Sequence, residues 1–366
     1  MIPYFLNFAV ISVLALFQLD RYWLIRRKVL LFFSLFGLTI FSGLRSEKVG
    51  ADYDSYKEFF YQFEGLFSGG LGQIFEFEKY FFEPGFAALI VVVRTFTDDN
   101  IVFFLVVSSV TSWLMAGSLL RLTPYPLLAV LVFYSYDFFT NYMVAIRFGI
   151  AVALSLYFIV FVSERRHGFA ILSWVVACLF HTSALILFIP YVFSFFALRR
   201  INVIIATILA LVIGSLELGT TIFTNLLPGF IPRAESAVTY IASSKYGESL
   251  GFLGFVNVKY LLIVFAVLFF WRRIFSSIPY FKMVLVFFVS GMLLRIAFHD
   301  VGFIIGRTSA LLGTAEILLV PGIVLAIFGR SAISWLLLSY YSLIHLFFIL
   351  MVRGYNEYSS SFIGTL

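Results

Sequence analysis

About twelve apolar runs, each closed off by charge or by turn residues, set the terms for everything else this chain can do. They fall near 4–19, 28–44, 101–120, 125–139, 142–162, 169–181, 183–197, 201–218, 256–271, 281–298, 308–328 and 332–352. A helix crosses the hydrocarbon core of a bilayer with about 20 residues, or fewer when flanking side chains reach for the interface. Composition agrees. Of 366 residues 62% are hydrophobic and only 12% charged, where a soluble domain carries roughly 25%, and the mean hydropathy is +1.04. The expected fold is all-α and integral to the membrane: one polytopic domain over 1–366 with about 12 transmembrane helices. Residues 84–96 are too short to cross and contain Arg94. They are expected as a re-entrant or half-helix segment, which is tolerated only inside protein.

The net charge of +6 is not a nucleic-acid signal. Arg21, Arg26, Arg27 and Lys28 form one cluster, and Arg165–Arg166, Arg199–Arg200 and Arg272–Arg273 are pairs between apolar runs. That is the positive-inside pattern of cytoplasmic loops. With all four groups in the cytoplasm, 84–96 does not cross fully, 169–197 is a broken hairpin with its tip near His181, and both termini lie outside. Met1 to Leu19 has no basic n-region and reads as a first membrane helix, not a removed leader. A single cysteine, Cys178, allows no disulfide within the chain.

Two polar segments, about 44–83 and 220–255, then face outward. Neither is long enough for a domain of its own, and both read as lids over a membrane cavity.

Ionisable groups at membrane depth cost about 2.5–3.5 kcal/mol each on insertion scales, which makes them functional candidates. Arg147 stands alone in Met143-Val144-Ala145-Ile146-Arg147-Phe148-Gly149; it either snorkels to the outer interface or forms an anion site at the outer end of a helix. Arg295, His299, Asp300 and Arg307 cluster at the junction of two runs, with Arg295 and His299 one turn apart on one face; an Arg307–Asp300 ion pair is the structural alternative. His181 lies between two apolar half-runs, either as a packing residue or at a cavity beside a helix break. Gly43-Leu44-Arg45 and Gly50-Ala51-Asp52-Tyr53-Asp54-Ser55-Tyr56 follow the second run, too rich in polar groups for a plain connector. Asp52-Tyr53-Asp54 is a weak metal motif, because alternate residues of an extended segment face apart. No phosphate-binding Gly-x-x-x-x-Gly-Lys loop and no zinc spacing occur, so neither ATP hydrolysis nor a bound metal or other cofactor is expected.

Taken together these pieces resemble the EpsG family of bacterial polysaccharide polymerases, related in function to the Wzy O-antigen polymerases. The resemblance is carried by Gly43-Leu44-Arg45 with Gly50-Ala51-Asp52-Tyr53-Asp54-Ser55-Tyr56, by Glu83-Pro84-Gly85-Phe86, by Ile146-Arg147-Phe148-Gly149-Ile150-Ala151, and by Ala177-Cys178-Leu179-Phe180-His181-Thr182-Ser183-Ala184. These four elements stand in the family's order between 43 and 184. Phe148 stands where the family has glutamine, so this chain lacks that hydrogen-bonding group.

The resemblance implies a GT-C-like architecture and a metal-independent glycosyl transfer between undecaprenyl-diphosphate-linked oligosaccharides. The reaction would lie at the periplasmic face of the inner membrane, with membrane lipid around it, a chain-length regulator as partner and no nucleic acid. On that footing Arg147, with Arg295 or Arg307, is expected to clamp the departing diphosphate, and Arg45 to lie at the rim. Arginine binds phosphate bidentately and stays charged. The base on the acceptor hydroxyl is expected among His181, Asp52 and Glu83; Tyr53 and Tyr56 either anchor at the membrane interface or stack on sugar rings. Two other readings share these features: a ligase that moves finished glycan onto a lipid A core, and a flippase or transporter of lipid-linked oligosaccharide. Inverted repeats would mark the transporter, and none is visible.

Overall fold

The computed structural model describes residues 1–20, 22, 26–75, 83–225, 249–352, 358–360 and 364–365. Parts of both expected outward segments, 76–82 and 226–248, lie outside the described residues, as does Arg21. The chain forms two compact units, residues 1–185 with 324–366, and residues 186–323.

The first unit opens with α1 (Ile2–Phe17), α2 (Arg27–Gly43), α3 (Tyr53–Gln62), α4 (Pro84–Arg94), α5 (Asn100–Leu122), α6 (Pro126–Ser135), α7 (Ile146–Ser163) and α8 (His167–Phe180). The second holds α9 (Phe188–Ser194), α10 (Arg200–Ser215), α11 (Gly219–Asn225), α12 (Phe255–Phe269), α13 (Trp271–Ser277), α14 (Phe281–Ala297) and α15 (Gly302–Gly313), and α16 (Glu316–Phe328) begins there. Helix α17 (Ala332–Val352) returns the chain to the first unit. Two-residue strands β1 (Ser359–Ser360) and β2 (Gly364–Thr365) pair antiparallel near the C-terminus.

The chain is a membrane protein whose described residues are all-helical apart from that pair. Among the described residues, α5, α7 and α17 are each long and apolar enough to cross a membrane. Three bent pairs, α10 with α11 (76°), α12 with α13 (93°) and α15 with α16 (43°), bring the number of spans to six if each pair is one span. The other apolar runs are shorter helices, and within 84–96 the 11-residue α4 covers Pro84–Arg94. Arg94 ends that helix by reaching to the Phe63 carbonyl at 2.9 Å and to Asp98.

Helix α7 is the centre of the first unit, packed by α8 and α5 and apolar on almost every face, as a helix walled in by other helices must be. Because lipid is as apolar as leucine, helices in a membrane are held by close packing and by small polar groups between them. Thr39 of α2 meets Ser112 of α5 at 2.7 Å, Ser42 donates to Ser108 at 3.0 Å, and Ser112 also meets the Tyr142 hydroxyl at 3.0 Å. On the other side of the unit, Ser12 of α1 meets Ser339 of α17 at 2.9 Å, and the Trp335 indole donates to the Ser12 carbonyl at 2.8 Å. In the second unit α14 is the helix against which α9, α10, α12 and α15 pack.

Candidate functional site

Three helix ends meet in the first unit. Helix α4 starts at Pro84, where a fixed φ and a missing N–H suit the first helical position, and Glu83 precedes it in extended conformation. Gly85 lets this end approach α8. A Cβ there would lie 2.7 Å from the Leu179 carbonyl oxygen, a distance that real side chains do not adopt. Helix α8 stops at Phe180, His181 is extended (φ −157°, ψ 124°), and Thr182–Leu187 form a 3-10 turn. Helix α7 starts after a π-helical turn over Phe139–Val144, a form frequent at functional sites. Gly149 again permits the close approach, since a Cβ would collide with the Asn141 carbonyl.

Arg147 lies in the first turn of α7, where its charge opposes the helix dipole. Glu83 compensates: one carboxylate oxygen pairs with Arg147 Nη1, and the other accepts the Thr182 amide at 3.0 Å. Arg147 Nε faces the Tyr56 hydroxyl of α3 at 3.5 Å, and the guanidinium lies 5.9 Å from the Tyr56 and Phe86 ring centres. The Arg147 and Glu83 side chains are 18% and 12% exposed, so the pair is sunk in protein but reaches the surface.

His181 is buried, edge-on to Phe148 at 5.1 Å between ring centres, and its Nδ1 accepts the Ser183 amide at 3.1 Å. With Nδ1 as acceptor, the neutral ring carries its proton on Nε2 and presents a donor there. That tautomer differs from the one a general base needs at Nε2.

The structure therefore brings Glu83, Arg147, His181 and Tyr56 together. Asp52 is half-buried immediately before α3, one turn ahead of Tyr56. The two aromatic candidates are packing residues: Tyr53 stacks on Phe104 at 4.4 Å, Tyr56 meets Phe86 edge-on at 5.7 Å, and both are buried. Ring faces so occupied are not open to a sugar. The same helix sets Asp52 and Asp54 on different faces.

Arg45 is not at a rim. It is fully buried, donates to the Ser42 carbonyl, lies over the rings of Phe104 and Tyr53 at 4.6 and 5.4 Å, and is bridged to Ser360 of β1. Arg295 and Arg307 lie in the second unit, on α14 and α15. Arg295 Nη1 contacts the Ser309 hydroxyl at 3.4 Å. Asp300 accepts the Thr220 amide and hydroxyl, both at 2.7 Å, at the start of α11. His299 is buried between the Ser249 hydroxyl and the Gly214 carbonyl, 3.1 Å from each.

Sequence reasoning passed over one pair. Lys259 of α12 and Glu316 of α16 are 2.7 Å apart with side chains 11% and 10% exposed. The signal was available: each is a lone charge inside or at the edge of an apolar run, where an unpaired ion is costly.

A search among known proteins adds a family. The family model described as EpsG family matches residues 28–363. The amylovoran biosynthesis protein AmsC of Erwinia amylovora is 25% identical over 296 residues, which cover 80% of this chain and 78% of that protein. No solved structure matches.

Proposed function

The chain belongs to the EpsG family, and from that premise we propose that it is a polysaccharide polymerase that joins repeat units carried on undecaprenyl diphosphate. The observation that carries the reading is the Glu83–Arg147 pair at the N-terminal end of α7, with His181 and the Thr182 amide beside it. Helix α7 has 18 residues, about 27 Å at 1.5 Å per residue, and the Arg165–Arg166 pair follows its other end. With that basic pair in the cytoplasm, Arg147 faces the periplasmic side of the inner membrane. The shorter and bent helices then complete about twelve crossings of a GT-C-like polymerase.

In the reaction the acceptor hydroxyl attacks the anomeric carbon of the donor glycan, the bond to the diphosphate breaks, and negative charge grows on the leaving oxygens. Arg147 takes that charge as a fixed cation, and the α7 N-terminus adds its partial positive charge. Metal-independent transfer rests on this: a guanidinium grips phosphate in the way a divalent ion does elsewhere. Glu83 holds the guanidinium in position. His181, with its proton on Nε2, donates a hydrogen bond to the developing anion. Asp52, one turn from Tyr56, accepts the proton of the attacking hydroxyl.

The test is a reconstituted reaction: purified chain in nanodiscs, a synthetic lipid-linked repeat unit, and EDTA. A ladder of longer glycans on lipid diphosphate is the expected product. Movement of the intact lipid-linked unit across a vesicle with no ladder would replace this reading with transport.

A further inference from the structure

We propose that the second unit carries a binding site for an anionic phospholipid, with the phosphate among Arg199, Arg200 and Lys282 and an acyl chain in the groove between α9, α10 and α14. The groove has a volume of about 310 Å³, within the roughly 300–1,000 Å³ of small-ligand pockets. Phe193, Phe196 and Asn202 form its exposed rim, and Val203, Val286, Val289 and Ser290 its buried floor. Along α14 it runs from Val286 to Leu293, about 10 Å by helix rise, which suits one part of an extended chain.

Cations flank the lining residues along the chain: Arg199 and Arg200 stand between Leu198 and Asn202, and Lys282 lies one turn before Val286. Arg200, at the start of α10, donates to the Leu268 carbonyl at the end of α12; Arg272 and Arg273 follow in α13. Lys282, at the start of α14, donates to the Ser194 carbonyl at the end of α9 at 2.6 Å. The first bond ties the start of α10 to the end of α12, and the second ties the start of α14 to the end of α9. Arg199, Arg200, Arg272, Arg273 and Lys282 are all exposed, and none forms an ion pair among the described residues. No carboxylate is near them in sequence: none occurs between Glu164 and Glu217, or between Glu248 and Asp300. Three exposed cations next to the lining of an apolar slot, Arg199, Arg200 and Lys282, match a ligand with an anionic head and an apolar tail. Basic pockets between helices on the cytoplasmic side are where such headgroups bind.

The experiment is native mass spectrometry of the full chain, delipidated in mild detergent. It is titrated separately with phosphatidylglycerol, with phosphatidylcholine of the same acyl chains, and with polyprenyl phosphate. The wild type is expected to prefer phosphatidylglycerol at least tenfold over phosphatidylcholine. The Arg199→Ser/Arg200→Ser protein should lose that preference by roughly fivefold per charge removed. Ala206→Trp, which fills the groove and leaves the cations in place, should weaken both phospholipids together. Equal binding of the two phospholipids by the wild type would overturn the site. So would a preference unchanged in the double variant, or occupancy by polyprenyl phosphate in the absence of phosphatidylglycerol binding.

Discussion

Glu83 divides its carboxylate between Arg147 and Thr182: one oxygen pairs with the guanidinium, and the other accepts the backbone amide at 3.0 Å. This side chain therefore ties the start of α4, the start of α7 and the break after α8 into one assembly. A cation in the first turn of α7 is unfavourable on its own, so the pair is as much a condition for that helix end as a feature of the site.

Glu83→Gln keeps the shape and removes the charge. Leaving a sunken guanidinium without its counter-charge costs about 1–3 kcal/mol; partial exposure keeps it below the figure for a fully buried pair. Thermal unfolding should occur at a lower temperature, and polymer formation should fall by roughly a hundredfold as Arg147 loses its orientation. Unchanged turnover with a lowered unfolding temperature would confine Glu83 to a structural role.

For His181 two substitutions separate donor from base. Gln keeps an N–H, whereas Phe keeps only the ring. With His181 as donor, His181→Phe should lose about 10²–10³ in turnover, and His181→Gln should retain activity within about tenfold. Equal losses in both variants, measured in the ladder assay, would favour a base.

Gly85 and Gly37 form a contrast. Valine at 85 meets the Leu179 backbone, and overpacking of this kind costs about 1–3 kcal/mol; Gly85→Val should also part Glu83 from Thr182 and so lower activity. Around Gly37, inside α2, nothing lies within 4 Å of an added Cβ. Gly37→Ala should raise stability by about 0.5–1 kcal/mol, with activity unchanged.

Arg45 should behave as a packing residue. Tyr358 stacks on Phe41 at 4.2 Å and donates to its carbonyl at 2.7 Å, and Ser46 bonds the Ser359 carbonyl at 2.9 Å, so the C-terminal segment packs along this end of the unit. Arg45→Ala and Tyr358→Ala should both reduce the yield of folded protein, while turnover per folded molecule changes far less than for Arg147→Ala. Burial pushes the Tyr358 phenol up to about 12, against the charge of Arg45, which lowers it. A raised folded-state value favours the protonated form. This contribution to stability is present below about pH 10 and is lost as the pH rises toward the folded value; Tyr358→Phe should flatten that alkaline limb in a thermal-unfolding series.

Three members of the candidate site, Glu83, Arg147 and His181, were named from the sequence. Arg147 and His181 stand out because each is a polar group in or beside an apolar run with a glycine or a helix break next to it, whereas Glu83 entered with the Glu83-Pro84-Gly85-Phe86 element of the family resemblance. Their joining was not legible: Glu83 lies 64 residues from Arg147 and 99 from Thr182, and spacing along the chain carries no information at that range. Arg45 was misplaced for the same reason, since the segment that closes over it begins more than 300 residues later. Tyr53 and Tyr56 are candidates for sugar stacking or interfacial anchoring by composition alone. Their spacing of three puts both on one face of α3, and that face packs on the aromatics of α4 and α5. Crossings were counted from apolar runs, but hydropathy does not show bends such as the 93° turn between α12 and α13 or the π-helical turn before α7.

The most direct test of the central claim is the length distribution of glycan made by Arg147→Ala in nanodiscs, at equal amounts of folded protein, from a lipid-linked repeat unit. The account predicts a loss of at least about a hundredfold in polymer, with little recovery in Arg147→Lys because an ammonium lacks the bidentate fork. A wild-type ladder from Arg147→Ala would contradict it.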